Sequence, residues 1–178
     1  MANIQNQNEL RILRTSGKAV AYIIRHTPFQ KGEVIMRHPE HYPNTSDFGP
    51  EPFVVNIACS TEKNLFYRRT LWTGSHLQLT LMCIPPCGEI GLEVHPDTDQ
   101  FLRIEEGQGT VLMGSCKGQL NFQRSVCQDD AIFVPAGTWH NVVNTGKTPL
   151  KLYAIYAPPH HPHGTVHRTK EESDARGD

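Results

Sequence analysis

The chain lacks most of what would take a protein into a membrane or onto a nucleic acid. Among its 178 residues no run approaches the roughly 20 consecutive apolar side chains of a membrane span. Its first residues, MANIQNQNEL, show neither the basic nor the apolar region of a secretory signal. A soluble, cytoplasmic protein with no membrane partner is therefore expected. Lys and Arg total 17 against 18 Asp and Glu, a formal net charge of −1. No basic stripe interleaves with aromatics, so nucleic acid is not an expected partner. Cysteines are few and odd in number: Cys59, Cys83, Cys87, Cys116 and Cys127. Without an export signal they read as reduced thiols rather than a disulfide framework. Cys83 and Cys87 have no second pair at zinc-finger spacing, which leaves a structural zinc site unsupported.

What is present divides the chain in three. Its length suits one main domain, roughly 100 to 200 residues. Residues 1–50 are punctuated by Pro, Gly and Asn and read as an irregular N-terminal arm, with a short helix over Lys18 to Arg25. From residue 51 to about 160, short β-branched and aromatic runs alternate with turn residues roughly every ten positions, the spacing of an all-β sandwich or barrel. The expected strands are FVVNI, FYRRTLW, HLQLTLMCI, IGLEV, QFLRIEEG, GTVLMG, LNFQRSV, AIFVP, HNVVN and LKLYAIYA, with a helical turn through Ser60 to Asn64. Residues 161–178 turn polar and are expected to form a surface tail with a frayed end.

Two segments carry the chemistry: GLEVHPDTDQFLRIEEGQG (91–109) and DDAIFVPAGTWHNVVN (129–144). Over roughly residues 66–157 the chain resembles the cupin superfamily, as a small, single-domain, bacterial-type member. The family's second motif, G-x5-P-x-G-x2-H-x3-N, is matched at Pro135, Gly137, His140 and Asn144, with Asp129 at the leading glycine. The first motif, G-x5-H-x-H-x(3,4)-E-x6-G, fits when His95 is its second histidine. Glu93 then takes the first ligand position, Gln100 the acid position and Gly107 the closing glycine, while the leading glycine is displaced by one to Gly88. The resemblance implies an all-β double-stranded β-helix, the cupin jelly-roll barrel. It also implies one divalent metal ion held by Glu93, His95, Gln100 and His140.

Strand alternation is an independent check, because side chains two apart share a face. Glu93 and His95 then face one way. Gln100 joins Leu102 and Ile104 on the inner face, opposite Asp99, Phe101, Arg103 and Glu105. Imidazole, carboxylate and amide donors suit Zn, Fe, Mn, Ni or Co, and no cysteine favours a softer ion. The same alternation makes Gln78, Thr80 and Met82 pocket candidates. Taking Lys151 as exposed turns Tyr156 inward as another. Trp72 and Trp139 read as packing residues, and Arg68 and Arg69 as solvated, with at most one able to reach a pocket. His160, His161, His163 and His167 are read as covering the barrel mouth, a dimer surface or nothing but solvent, outside the metal set.

Fold alone does not determine function. The resemblance to mannose-6-phosphate isomerase-like cupins implies a metal-dependent enzyme on a small polar molecule such as a sugar phosphate. Alternatives are a binding or sensing module that does not turn its ligand over, a dioxygenase, and a metal-free structural barrel. A homodimer is expected, since cupins commonly pair through their sheets.

Overall fold

The computed structural model describes residues 45–177 and, nearer the N-terminus, the backbone of two strands. These are β1 (Asn8–Thr15) and β2 (Lys18–Arg25), paired antiparallel from Asn8 opposite Arg25 to Thr15 opposite Lys18. The helix expected over 18–25 is thus a strand. Val20, Ile23 and Ile24 suit extended backbone, and the preceding NELRILRT supplies a partner ladder. The hairpin is a unit of its own. The rest of the expected arm, up to residue 44, lies outside the described residues.

Beyond it come α1 (Ile57–Lys63), β3 (Arg68–Thr73), β4 (Gln78–Ile84), β5 (Asp99–Glu106), β6 (Gln108–Gly114), β7 (Phe122–Cys127), β8 (Ala131–Val134), β9 (Trp139–Asn144), β10 (Leu150–Ala157), β11 (Val166–His167) and α2 (Lys170–Arg176). They form two antiparallel sheets, ordered β11-β3-β4-β10-β5-β8 and β7-β6-β9. Neighbours distant in sequence, such as β4 beside β10, show the chain winding between the sheets as a double-stranded β-helix. Two expected strands are absent. FVVNI leads into α1, which Asn56 caps by accepting a hydrogen bond from the Cys59 N–H at 3.0 Å. IGLEV makes only isolated bridges, Glu89 to Val143 and Glu93 to His140.

The inner face grades from polar to apolar along the strands. One cross-strand row is Gln78, Tyr156, Gln100 and Val134. Two residues deeper it is Thr80, Ala154, Leu102 and Ile132, and two deeper again Met82, Leu152 and Ile104. Met82 therefore belongs to the core, packed with Ile84, Leu150 and Val142, and does not line a pocket. Each such side chain contributes roughly 1.5 to 3 kcal/mol by burial. Two outward expectations change. Lys151 is buried, its ammonium donating to the Asn64 carbonyl at the end of α1, where the helix dipole favours a cation. Glu105 is also buried, paired with Arg103. Tyr156 still faces inward, because the β10 alternation is independent of Lys151's exposure.

Two residues explain how the motifs survive their missing glycines. Among the described residues the non-glycines with left-handed backbone are Cys87 (φ 62°) and Asp129 (φ 72°). They occupy the leading positions of the two motifs. The backbone turn that glycine would make freely is thus kept at Cys87 itself, and is not shifted to Gly88. Aspartate tolerates this region better than most residues, and Asp129 also pairs with Arg103. Cys87 is exposed, so Cys87→Gly is expected to raise stability by about 1 kcal/mol in urea unfolding. Asp129→Ala, which keeps the strain and drops the ion pair, is expected to lower it by a similar amount.

Candidate metal centre

Backbone pairing brings the ligands together. Segment 88–95 runs antiparallel to β9: Asn144 N–H donates to Gly88 O (2.8 Å), Ile90 N–H to Val142 O (3.0 Å), and Glu93 and His140 exchange both bonds (3.0 and 2.9 Å). Gly137 N–H then donates to His95 O at 2.8 Å. Glu93 and His140 therefore sit side by side, with His95 two residues along on the same face. His95 Nε2 lies 3.2 Å and His140 Nε2 3.3 Å from Glu93 Oε1. One ligand atom from each residue lies within 4.8 Å of the others.

The donor chemistry fits a cation. His140 Nδ1 stands 3.0 Å from the Thr138 carbonyl, which can only accept, so Nδ1 carries the proton. In neutral imidazole Nε2 is then a bare lone pair, buried without a hydrogen-bond partner and facing a carboxylate oxygen. His140, His95 and Glu93 would hold a divalent ion, which would turn that repulsion into ligation. Burial alone would raise the Glu93 carboxyl. The group is nevertheless held well below the usual carboxylate range, with the Arg68 charge beside it among the causes.

Residues 80–156 match the family model described as the cupin domain. The chain belongs to the cupin superfamily. It is 62% identical to YrkC of Bacillus subtilis over 132 residues, 74% of this chain and 71% of that one. It is 40% identical to a protein of Acanthamoeba polyphaga mimivirus over 126 residues, 70% and 77% of the two chains. The crystal structure of a Bacillus halodurans protein, 62% identical, superposes with a TM-score of 0.73 over 73% of this chain and 98% of that one.

Around the cupin triad the other sequence candidates divide. Gln100 is buried on the inner face with no well-formed hydrogen bond from its amide. Tyr156 is its cross-strand neighbour, and the Tyr156 ring lies edge-on to His95, centroids 5.6 Å apart. Burial pushes the Tyr156 hydroxyl up to about 12, so it stays protonated at neutral pH. Gln78 is inward but spent: its amide nitrogen donates to Thr73 Oγ1 (3.0 Å) and His161 O (2.8 Å), and its oxygen accepts from His160 N (3.2 Å) and His161 N (2.9 Å). Thr80 faces the Ala154 carbonyl. Trp139 is turned away from the triad, toward Lys117. Asn144 is structural, donating to Ile84 O and Thr148 O across two turns.

Three residues read as solvated or peripheral belong to the site. Arg68 is buried, Nη1 donating to Ser173 Oγ (2.9 Å) and Nη2 lying 4.0 Å from Glu93 Oε2. His160 lies tilted against His95 with ring centroids 4.1 Å apart, and His161 is buried edge-on to Tyr156 at 5.0 Å. Burial lowers the His161 imidazole to about 2, which keeps it neutral. The signal available in the sequence was the inward alternation of Arg68 with Thr70 and the density of histidine after β10. Which of four histidines would fold inward depended on Gln78, some eighty residues earlier.

The expected frayed tail is accordingly ordered. β11 pairs with β3, α2 is capped by Thr169 and Gly177, and His167 and Ser173 are buried. Asp47 pins the strap that carries His160 and His161: its carboxylate accepts from Gly49 N (3.0 Å), Thr73 Oγ1 (2.6 Å) and Gly164 N (3.1 Å). Burial opposes ionisation there, but the three donors win and the carboxyl is lowered from 3.8. Asp47→Ala is expected to cost about 2 kcal/mol at pH 7 in chemical unfolding. Since the folded-state value is depressed, that contribution is complete above the ordinary 3.8 and vanishes as pH falls through the lower one. The gap between wild type and variant should therefore close in acid.

Proposed function

We propose that this cupin is a metal-dependent enzyme acting on a small polar molecule, with Glu93, His95, His140 and Gln100 as ligands of one divalent ion, Zn, Fe, Mn, Ni or Co. The supporting observation is the bare, buried His140 Nε2 aimed at the Glu93 carboxylate. The chemistry such an ion supplies is polarisation of a bound carbonyl or hydroxyl oxygen. Gln100 offers an amide oxygen on the inner face, and the Arg68 charge beside Glu93 Oε2 keeps that carboxylate ionised as a ligand. Tyr156 and His161, both buried, and His160, at the surface, line the side of the site next to His95.

A sugar-phosphate isomerase is the finer form of this reading, yet a phosphate clamp finds little support. Arg68 already faces Glu93 and Ser173, and Arg69 falls on the opposite face of β3. Binding or sensing without turnover has an observation in its favour: Asp97 and Asp99 are exposed, and Asp99 is occupied by the Ala136 N–H at 2.9 Å, so neither joins Glu93 as a further carboxylate base. Metal content by plasma mass spectrometry of untagged protein tests the core of the proposal. About one equivalent is expected in wild type and a loss in both His95→Ala and His140→Ala; protein that stays metal-free after reconstitution counts against it. Chemical change in a screened ligand separates enzyme from sensor.

Pairing of two copies is proposed on the outer face of the larger sheet, where Phe133 is 70% exposed and stacks edge-on with Phe101, centroids 5.1 Å apart. Phe133→Ser is expected to shift a dimer to monomer in light scattering after size exclusion. A wild type that is already monomeric overturns the pairing.

A further inference from the structure

Beside the triad, a row of buried side chains carries polar atoms with few partners in the protein. Gln100 is 2% exposed with no well-formed hydrogen bond from its amide, Tyr156 is fully buried with only Gln100 and Thr80 beside its hydroxyl, and His161 is 5% exposed with both ring nitrogens unpartnered. They come from β5, β10 and the strap, and they adjoin one another: Tyr156 lies opposite Gln100 in the sheet register and edge-on to His161. Leaving such groups unmade costs roughly 1 to 3 kcal/mol each, so three together mark a surface shaped for a ligand.

We propose that Tyr156, His161 and the Gln100 amide form a subsite that binds a small carboxylate next to the metal. This rests on the metal reading above and adds the class of molecule. Charge decides the class. The charged groups near Tyr156 and His161 are Arg68 and Glu93, of opposite sign, with the imidazoles of His160 and His95 beside them. A divalent ion on the triad then brings two uncompensated positive charges into a buried site, and an anionic ligand is what neutralises them. Donors decide the polarity. With Gln100 Oε1 directed at the metal, its NH2 remains a donor, the Tyr156 hydroxyl donates, and neutral His161 donates from one nitrogen. A carboxylate accepts all three, whereas a neutral polyol would leave the charge unmet. The close ring contacts of His95, Tyr156, His160 and His161, 4.1 to 5.7 Å between centroids, favour a molecule of few atoms.

The test is calorimetric titration of the full-length protein, loaded with Co(II), with oxalate, pyruvate, inorganic phosphate and glycerol. Tyr156→Phe and His161→Phe serve as variants, each retaining a ring and losing the polar atoms. Oxalate or pyruvate is expected to bind more tightly than phosphate or glycerol, and each variant to weaken it about tenfold while keeping one equivalent of cobalt and a melting temperature no lower than wild type. Equal affinity for all four probes, or carboxylate affinity unchanged in both variants that retain cobalt, overturns the subsite. If wild type takes up no cobalt, the metal reading fails by itself. The subsite is then judged on the metal-free protein: carboxylate binding lost in Tyr156→Phe supports it, and no binding overturns it.

Discussion

Everything at the mouth of this barrel depends on one pair of backbone hydrogen bonds, those exchanged by Glu93 and His140. Segment 88–95 is too irregular to be a strand, with Gly91 at φ 105° in its middle, yet it docks on β9 as though it were one. Pairing directly across an antiparallel bridge puts two side chains next to each other on one face. The second contact, Gly137 N–H to His95 O, sets the third ligand. Gly137, at φ 76° with open space at its Cβ position, makes the turn that allows it.

The barrel behind the site has a matching logic. Each inner row of the larger sheet is more apolar than the one nearer the mouth, running from Gln78, Tyr156 and Gln100 to Met82, Leu152 and Ile104. The apolar end supplies the burial that stabilises the fold, and the polar end is left to ligands and to the strap. The strap itself is held by polar anchors, Gln78, Asp47 and the Arg68–Ser173 contact, with little apolar area of its own.

Arg68 joins these layers. It lies in β3, reaches Glu93 at one end and α2 at the other, and so couples the charge of the site to the seating of the C-terminal segment. A buried guanidinium is costly unless fully paired, and the acidic ligand provides one of its partners.

The barrel was legible in the amino-acid order because its signals are local. Period-two alternation, turn residues every ten positions and the spacing Pro135, Gly137, His140, Asn144 together implied the sheets, the inward faces of β4, β5 and β10, and the family. Glu93, His95 and His140 as ligands came from the resemblance that the two motifs carry. The strand over 18–25, the burial of Lys151 and Glu105, the left-handed Cys87 and Asp129, and the order of the last twenty residues did not follow. The hairpin reversed a weak propensity by offering a partner strand, and Lys151 was buried by a helix end folded over it. Placing Arg68, His160 and His161 required contacts between residues from five to 105 apart in the chain, made by Gln78, Tyr156, Glu93 and Ser173. Periodicity tells which way a side chain points; what stands in front of it is decided only when distant segments pack.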